Sequence, residues 1–267
     1  MGYTIQEVQT EGFSVKYARF GAGPRPLVIL PGLSVQSVMG AAGAVEKEYE
    51  ALKEDFTLYL IDRREPAPPV YPVEQMAENT AAVLAALGLG RVCLFGASQG
   101  GMMALCLAAA HPELVDRLAV ASTAARVDRA RYACVGSWVR LARAADPVGL
   151  YLAFGEAVYP PALFESYRPA LIMAGRRVTE AELQRFTVLA EGMEHFDLTS
   201  RLGQIRCPTL VLGSADDRVL GPEAAGEIIA GLTGVPELQT HLYDGYGHAA
   251  YDTAPDCRDR LLRFFMG

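Results

Sequence analysis

Short apolar runs, each bounded by turn residues, recur along this chain with helix-like segments between them. The runs occupy residues 27–30, 58–61, 92–95, 118–121 and 210–212. Runs this short are typical of buried strands, and strands that are covered on both faces do not need to alternate apolar with polar side chains. The pattern therefore predicts an α/β fold, in which helices cover both faces of a mostly parallel sheet.

The start of the chain follows a different pattern, because residues 3–8 and 13–20 alternate apolar with polar side chains and are joined by a Glu-Gly turn. Alternation on either side of a turn predicts two antiparallel strands, so the sheet should be mixed. Apolar residues then recur at helical spacing over 73–87, and Gly88 follows where that helix would end. Residues 100–110 are apolar on all sides, which predicts a helix that is buried on most sides.

Strand signals disappear between residues 127 and 200, where helical segments follow one another. Prolines and a glycine interrupt them, at Asp146-Pro147, Tyr159-Pro160-Pro161 and Gly175. We interpret 127–200 as a helical cap, or lid, inserted into one α/β core formed by 1–126 and 201–267. Aromatic residues of this cap either line a pocket beneath it or only pack it against the core: Trp138, Tyr151, Phe154, Tyr159 and Phe164.

Charge and cysteine content exclude several classes of partner. The chain carries 31 acidic and 24 basic residues, a net charge of −7, without a long run of either sign, so neither nucleic acid nor a membrane surface is expected as a partner. Its five cysteines show neither Cys-x-x-Cys nor Cys/His ligand spacing, so we expect no disulfide framework and no metal site. The first ten residues lack the basic start and apolar stretch of a signal peptide, which predicts a cytoplasmic protein.

One short segment, Gly96-Ala97-Ser98-Gln99-Gly100, matches the pattern G-x-S-x-G. It directly follows the strand-like run 92–95 and directly precedes the helix-like segment 100–110, and a nucleophilic serine of this kind needs that strand–turn–helix setting. The sharp turn strains the serine backbone, and its glycines supply the space. Ser98 is therefore the predicted nucleophile, and the alternative is a glycine-rich turn with an incidental serine.

A serine is a weak nucleophile at its own pKa, so it needs a base within hydrogen-bond reach. Of the four histidines, His111 ends the buried helix, His195 lies in the predicted cap and His241 lies inside the strand-like run 238–243. Only His248 lies in a glycine-rich loop just past the carboxyl end of a strand, where the catalytic loops of an α/β sheet gather. We predict that His248 is the general base, and the alternative is a loop histidine exposed to solvent.

Proteins with this kind of serine turn place an acidic residue between the serine and the histidine along the chain. Asp216 and Asp217 both follow the strand-like run 210–212, and either could orient the imidazole and stabilise its protonated form. We prefer Asp216, which stands three residues after Gly213. Asp217 stays open as the acid, as a solvated turn residue, or as a partner of Arg218.

Acyl transfer also needs two hydrogen-bond donors aimed at the oxyanion of the tetrahedral intermediate. The backbone N–H of Gln99, the residue after the nucleophile, is the first candidate. The second donor should come from the loop that follows the run 27–30, where the backbone N–H of Leu33 is the candidate. A backbone donor constrains its own side chain only weakly, which is consistent with a leucine at that position.

These segments together resemble the α/β-hydrolase superfamily over nearly the whole chain. The resemblance rests on the loop at 31–33, the turn at 96–101, the sequence His111-Pro112-Glu113, the segment 207–216 and the pair Gly247-His248. It implies a triad of Ser98, Asp216 and His248 beneath a helical cap, and it is closest to the lidded serine hydrolases, which include small carboxylesterases, lactonases and carbon–carbon bond hydrolases. Two positions depart from the family pattern: Pro31 replaces a frequent histidine, and residues 62–66 lack the glycines that many members carry there.

The predicted function is hydrolysis of a small carboxylic ester, lactone or thioester through an acyl-enzyme on Ser98, without a cofactor. We expect a monomer or homodimer whose partner is a small-molecule substrate. Two alternatives stay open, namely carbon–carbon bond hydrolysis by the same fold and a ligand-sensing protein that binds a small molecule without turnover. A serine at this turn argues against the similar haloalkane dehalogenases and epoxide hydrolases, which use an aspartate there.

Overall fold

The computed structural model describes residues 2–267. Met1 lies outside the described residues, and it begins the segment that was interpreted as lacking a signal peptide. Eight strands form a single sheet: β1 (Thr4–Thr10), β2 (Phe13–Gly21), β3 (Arg25–Leu30), β4 (Phe56–Glu65), β5 (Val92–Ala97), β6 (Val115–Ala121), β7 (Thr209–Ser214) and β8 (Leu238–Tyr243). Their order across the sheet is β1-β2-β4-β3-β5-β6-β7-β8. The pairs β1–β2 and β2–β4 are antiparallel and the remaining pairs are parallel, which confirms the predicted mixed sheet.

Ten α-helices within residues 2–267 accompany the sheet: α1 (Ala42–Glu48), α2 (Val73–Ala86), α3 (Gln99–Ala110), α4 (Arg129–Arg143), α5 (Pro147–Val158), α6 (Pro161–Gly175), α7 (Glu180–Glu191), α8 (Ala224–Gly231), α9 (Ala250–Thr253) and α10 (Cys257–Met266). The helices predicted over 73–87 and 100–110 correspond to α2 and α3. In the part of the chain that the structure describes, no helix combines the length and apolar character needed to cross a lipid bilayer.

Both faces of the central strands are buried, because successive side chains of a strand point to opposite faces of the sheet. In β3, Val28 and Leu30 pack into one hydrophobic cluster, whereas Leu27 and Ile29 pack into another. The first cluster contains the buried faces of α2, α3 and α8, and the second contains those of α1 and α10. This two-sided burial explains why continuous apolar runs marked these strands in the sequence.

Four helices, α4 to α7, lie between β6 and β7 and are called the helical insertion below. The proline turns noted in the sequence start α5 and α6, whereas Gly175 ends α6. The Asp146 side chain caps α5, and Pro147 and Pro161 begin α5 and α6, where proline loses no helical hydrogen bond. The Thr179 side chain and Glu182 form a reciprocal capping box at the start of α7.

The strand order reverses between β3 and β5, since the chain runs from β3 outward to β4 and then returns to β5 on the other side of β3. Ligands of open α/β sheets bind at such a reversal, outside the carboxyl ends of the strands. Leu30 at the end of β3 pairs with Gly96 near the end of β5. The loop after β3 and the turn that carries Ser98 therefore leave the sheet side by side.

Candidate active site

The backbone of Ser98 is strained, with φ 52° and ψ −123°, at the junction of β5 and α3. A non-glycine residue in such a region costs on the order of 1–3 kcal/mol and persists only where its surroundings hold it. Here the N–H of Ser98 donates to the carbonyl oxygen of Ala121 at 2.9 Å, and its own carbonyl accepts the Thr123 hydroxyl at 2.7 Å. Hydrogen bonds from the end of β6 therefore hold the turn in its strained form.

Glycines on both sides of the serine are required by backbone packing. A Cβ on Gly96 would lie 2.3 Å from the carbonyl oxygen of Gly100. A Cβ on Gly100 would lie 2.1 Å from the carbonyl oxygen of Leu30. Because these neighbours are backbone atoms of packed elements, they cannot move aside cheaply. The two glycines thus allow α3 to begin directly against the ends of β3 and β5.

His248 is brought onto Ser98 by the 3₁₀ turn Gly247–Ala249, which follows β8. The distance from His248 Nε2 to Ser98 Oγ is 2.9 Å, and both side chains are buried. These residues are 150 positions apart in the sequence. The structure therefore unites the predicted nucleophile and base, and the geometry is that of a hydroxyl donating to an imidazole nitrogen.

The preference for Asp216 as the acid was wrong, since Asp217 is the residue that meets the histidine. Asp217 Oδ2 lies 2.8 Å from His248 Nδ1, and the aspartate side chain is buried. Asp216 instead accepts the hydroxyl of Ser214 at 2.8 Å and the backbone N–H of Gly247 at 3.0 Å. The turn after β7 sends these adjacent side chains in different directions, so that Asp217 enters the interior while Asp216 braces the histidine loop.

Asp217 is held as a carboxylate by its surroundings. Burial alone would raise its pKa, but His248 and two backbone N–H groups act against burial and hold the pKa below that of an ordinary aspartate. Those N–H groups belong to Val219 and Leu220, at 2.8 and 2.9 Å from Oδ1. One oxygen is therefore occupied by the backbone, and the other is left for the imidazole.

The other three histidines lie elsewhere. His111 Nε2 is 3.0 Å from a carboxylate oxygen of Glu78, His195 has a side chain that is 88% exposed, and His241 lies in β8. Across residues 2–267, no group of three or more His, Cys, Asp or Glu side chains is arranged to hold a metal ion.

Within residues 2–267, the backbone N–H groups of both predicted oxyanion donors lack an acceptor in the protein. Gln99 is the first residue of α3, where N–H groups lack an acceptor within the helix. Among the backbone hydrogen bonds that turns, loops and caps make within residues 2–267, none is donated by the N–H of Gln99 or of Leu33. The loop that carries Leu33 lies against the nucleophile, since a Cβ on Gly32 would be 3.2 Å from the Cβ of Ser98.

A small cavity reaches this site, and it shares lining residues with a larger one. A small cavity of about 20 Å³ touches Ser98 and His248 and is bounded by apolar side chains such as Trp138, Val135 and Met193. A larger cavity of about 740 Å³ is more open to solvent and extends between the loop after β3, α1 and the helical insertion. Five residues line both cavities: Gly32, Leu33, Phe154, Val158 and Tyr251.

The aromatic residues of the helical insertion have two roles. Tyr151 and Tyr159 line the large cavity, and Trp138 lines the small one. Phe164 lines neither of these cavities and is buried in packing. Tyr251, which sequence reasoning missed, stands three residues after His248, and its ring meets the imidazole edge to face at 6.4 Å between centroids. Helical spacing from the histidine was the signal that could have indicated it.

Comparison with known proteins gives a consistent result. The family model described as the alpha/beta hydrolase fold matches residues 25–255. Among curated proteins, the chain is similar to RutD of Azorhizobium caulinodans, which is named for a carbamate hydrolase activity, with 29% identity over 94% of each chain.

Solved structures resemble this fold closely. One is MGS-M2, an alpha/beta hydrolase from a Medee basin deep-sea metagenome library, with a TM-score of 0.86 and 21% identity over 99% of this chain and 98% of that one. Another is the enol-lactonase from Burkholderia xenovorans, with a TM-score of 0.82 and 19% identity over 98% of this chain and 100% of that one.

Proposed function

The chain belongs to the α/β-hydrolase family, and we propose that it is a serine hydrolase that cleaves a small carboxylic ester, lactone or thioester through an acyl-enzyme. The observation that carries this proposal is the buried line of hydrogen bonds from Asp217 through His248 to Ser98, with distances of 2.8 and 2.9 Å. An acid, an imidazole and a hydroxyl in this order are the arrangement that activates a serine for attack on a carbonyl.

In the first step, Ser98 Oγ attacks the carbonyl carbon and its proton passes to His248 Nε2. The imidazolium that forms is stabilised by the Asp217 carboxylate, and it returns the proton to the leaving oxygen or sulfur as the bond to the carbonyl carbon breaks. Water then attacks the acyl-enzyme, with His248 taking its proton and Ser98 leaving as the restored hydroxyl. All groups in this cycle belong to the chain, the substrate or water.

The backbone N–H groups of Leu33 and Gln99 are our candidates for the donors that stabilise the oxyanion. Gln99 also begins α3, whose N-terminal end favours developing negative charge. Removing one such donor typically costs a hundredfold to thousandfold in kcat, about 3–4 kcal/mol. Both donors are part of the backbone and therefore depend on how their segments are held.

The two cavities differ in volume, which favours a substrate with a small acyl substituent and a larger leaving group. The small cavity at Ser98 has room for roughly one or two non-hydrogen atoms, since about 10–15 Å³ of such volume holds one water. We propose that the acyl substituent occupies this small cavity and that the leaving group extends into the larger and more open one. The acyl group must stay on Ser98 while the leaving group departs, which favours the open side for departure.

A carbamate is the second candidate substrate class. The similarity to RutD, named for a carbamate hydrolase activity, favours it. The amino group of a carbamate is close in size to the methyl group of an acetyl ester, so it suits the same small cavity. The same attack by Ser98 would release the leaving group from either carbonyl.

The test uses a fluorophosphonate probe and p-nitrophenyl acetate on the wild type, on Ser98→Ala and on the control Ser166→Ala, which removes an exposed hydroxyl from α6. We expect one adduct, on Ser98, and a loss of at least about a thousandfold in turnover for Ser98→Ala only. Turnover that survives Ser98→Ala would refute the mechanism. A folded protein with neither adduct nor turnover would favour the ligand-sensing alternative.

A further inference from the structure

The two candidate oxyanion donors come from separate segments, the loop after β3 and the turn after β5. Donors must lie about 2.7–3.1 Å from the position of the oxyanion, so the spacing of these segments matters for catalysis. A third element touches both segments. It is the C-terminal part of β4, which carries Asp62 and Arg63.

Arg63 bridges the two segments directly. One terminal nitrogen of its guanidinium donates to the carbonyl oxygen of Pro31 at 2.7 Å and to the side-chain oxygen of Gln99 at 3.1 Å. Pro31 lies two residues before Leu33, and Gln99 is the other donor residue itself. Arg63 is buried, with 4% of its surface exposed. The Nε of its guanidinium has no hydrogen-bond partner within residues 2–267.

Asp62 extends the same contact to the helical insertion. Its Oδ1 accepts from Arg185 of α7 at 2.7 Å, and its Oδ2 accepts from the hydroxyl of Ser37 at 2.5 Å. The side chains of Asp62 and Arg185 are 4% and 13% exposed. The Gln99 amide also donates to the carbonyl oxygen of Leu189 in α7 at 2.6 Å. The end of β4 therefore joins the loop, the serine turn and the insertion.

Stability is a weak reason for placing these charges in the interior. Burial lowers the pKa of the Arg63 guanidinium to about 10, with Asp62 acting in the opposite direction. The buried ion pair at this end of β4 joins Asp62 to Arg185, and replacing such a pair with apolar residues of similar volume is often neutral or stabilising. Arg63 donates directed hydrogen bonds to the two segments that carry the candidate donors, and an apolar side chain could not make these bonds.

We propose that Arg63 is a positioning residue, which holds the loop at 31–33 and the serine turn at the spacing that the oxyanion requires. This inference rests on the proposed function. Arg63 does not touch the reacting atoms and acts through Pro31 and Gln99. Asp62 connects this bridge to α7, so the position of the helical insertion is coupled to the oxyanion donors.

The test compares Arg63→Met and Arg63→Lys with Arg64→Met and Arg64→Lys. Arg64 is the next residue of β4 and packs on the ring of Phe13, 4.6 Å from its centroid, so its variants remove the same side chain from the opposite face. We expect kcat per fluorophosphonate-labelled site to fall roughly 10- to 100-fold in Arg63→Met, with KM changed less than about threefold. Arg63→Lys should lie between Arg63→Met and the wild type, because its amine can reach one acceptor.

A trifluoromethyl ketone inhibitor, which forms an oxyanion on Ser98, gives the second readout. Its Ki should rise in Arg63→Met by the same factor by which kcat/KM falls. A purely structural role predicts fewer labelled sites and a lower Tm, with normal kcat per site and an unchanged Ki, and that result would overturn the proposal. Equal behaviour of the Arg63 and Arg64 variants would overturn it while leaving the proposed function intact, whereas a wild type without label or turnover would overturn both.

Discussion

Replacing Asp217 with asparagine should disable this site, whereas the same replacement at Asp216 should not. In Asp217→Asn, the two backbone N–H groups that meet Oδ1, from Val219 and Leu220, still need an acceptor. They therefore keep the amide oxygen on their side and turn the amide NH2 toward His248 Nδ1. An NH2 facing Nδ1 selects the tautomer with its proton on Nε2, which cannot accept the proton of Ser98.

The wrong tautomer removes general-base catalysis but leaves the oxyanion donors in place. Asparagine at a triad aspartate lowers kcat by about 10⁴ in a serine protease, and we expect a loss of about 10³ to 10⁴ here, or about 4–5.5 kcal/mol. The Asp216 side chain accepts hydrogen bonds from the Ser214 hydroxyl and the N–H of Gly247, so Asp216→Asn keeps one acceptor for them and should cost less than about tenfold.

The assay is initial-rate hydrolysis of p-nitrophenyl acetate, expressed per folded molecule after circular dichroism and thermal unfolding of each variant. Both variants change one carboxylate to an amide at adjacent positions, so they are matched in charge and volume. Equal losses, or a larger loss in Asp216→Asn, would refute the assignment of Asp217 to the imidazole. A loss in Asp217→Asn that is fully explained by unfolding would refute the tautomer argument.

Two further predictions concern stability and substrate choice. Because the pKa of Asp217 is lower in the folded than in the unfolded chain, its contribution to stability is complete above about pH 4 and is lost as the pH falls through the folded-state value. We would measure the difference in unfolding free energy between wild type and Asp217→Asn with urea from pH 7 to pH 3. This difference should be constant near neutrality and move in favour of the variant below about pH 4. A constant difference over the whole range would contradict the lowered pKa. Trp138→Ala should enlarge the small cavity and raise kcat/KM for p-nitrophenyl butyrate relative to the acetate by about tenfold. The same substitution should cost about 3–5 kcal/mol of stability, because Trp138 is buried against Phe154. Val139→Ala, at a buried position of α4 that lines neither cavity, is the control, and an unchanged butyrate-to-acetate ratio in Trp138→Ala would show that the acyl group lies elsewhere.

The parts of the site that could be predicted are those carried by local sequence. Ser98 was found because the apolar run, the glycines and the following helix are contiguous, and strain at a strand–helix turn needs that local pattern. His248 was found because a glycine-rich loop after a strand of this sheet must emerge at its carboxyl edge. Both arguments use the order of elements and need no knowledge of side-chain direction.

The choice between Asp216 and Asp217 failed because it depends on side-chain direction, which the order of elements does not give. Both aspartates follow the same strand, and element order places both at the same edge. Which one points inward depends on the backbone of one turn and on the N–H groups of Val219 and Leu220, which meet Asp217 only after the turn has formed. Adjacent residues of equal chemistry carry no sequence signal that separates them.

The sequence by itself determined the α/β class, the mixed sheet and the segments that carry a serine, a histidine and two candidate backbone donors, because hydrophobic periodicity and turn chemistry are local properties. Only the tertiary structure decided that Asp217 meets the imidazole, that Arg63 joins the loop after β3 to the serine turn, and that the small cavity at Ser98 shares lining residues with a larger one. Those features depend on distances between side chains far apart in the chain, and such distances are set by how whole elements pack.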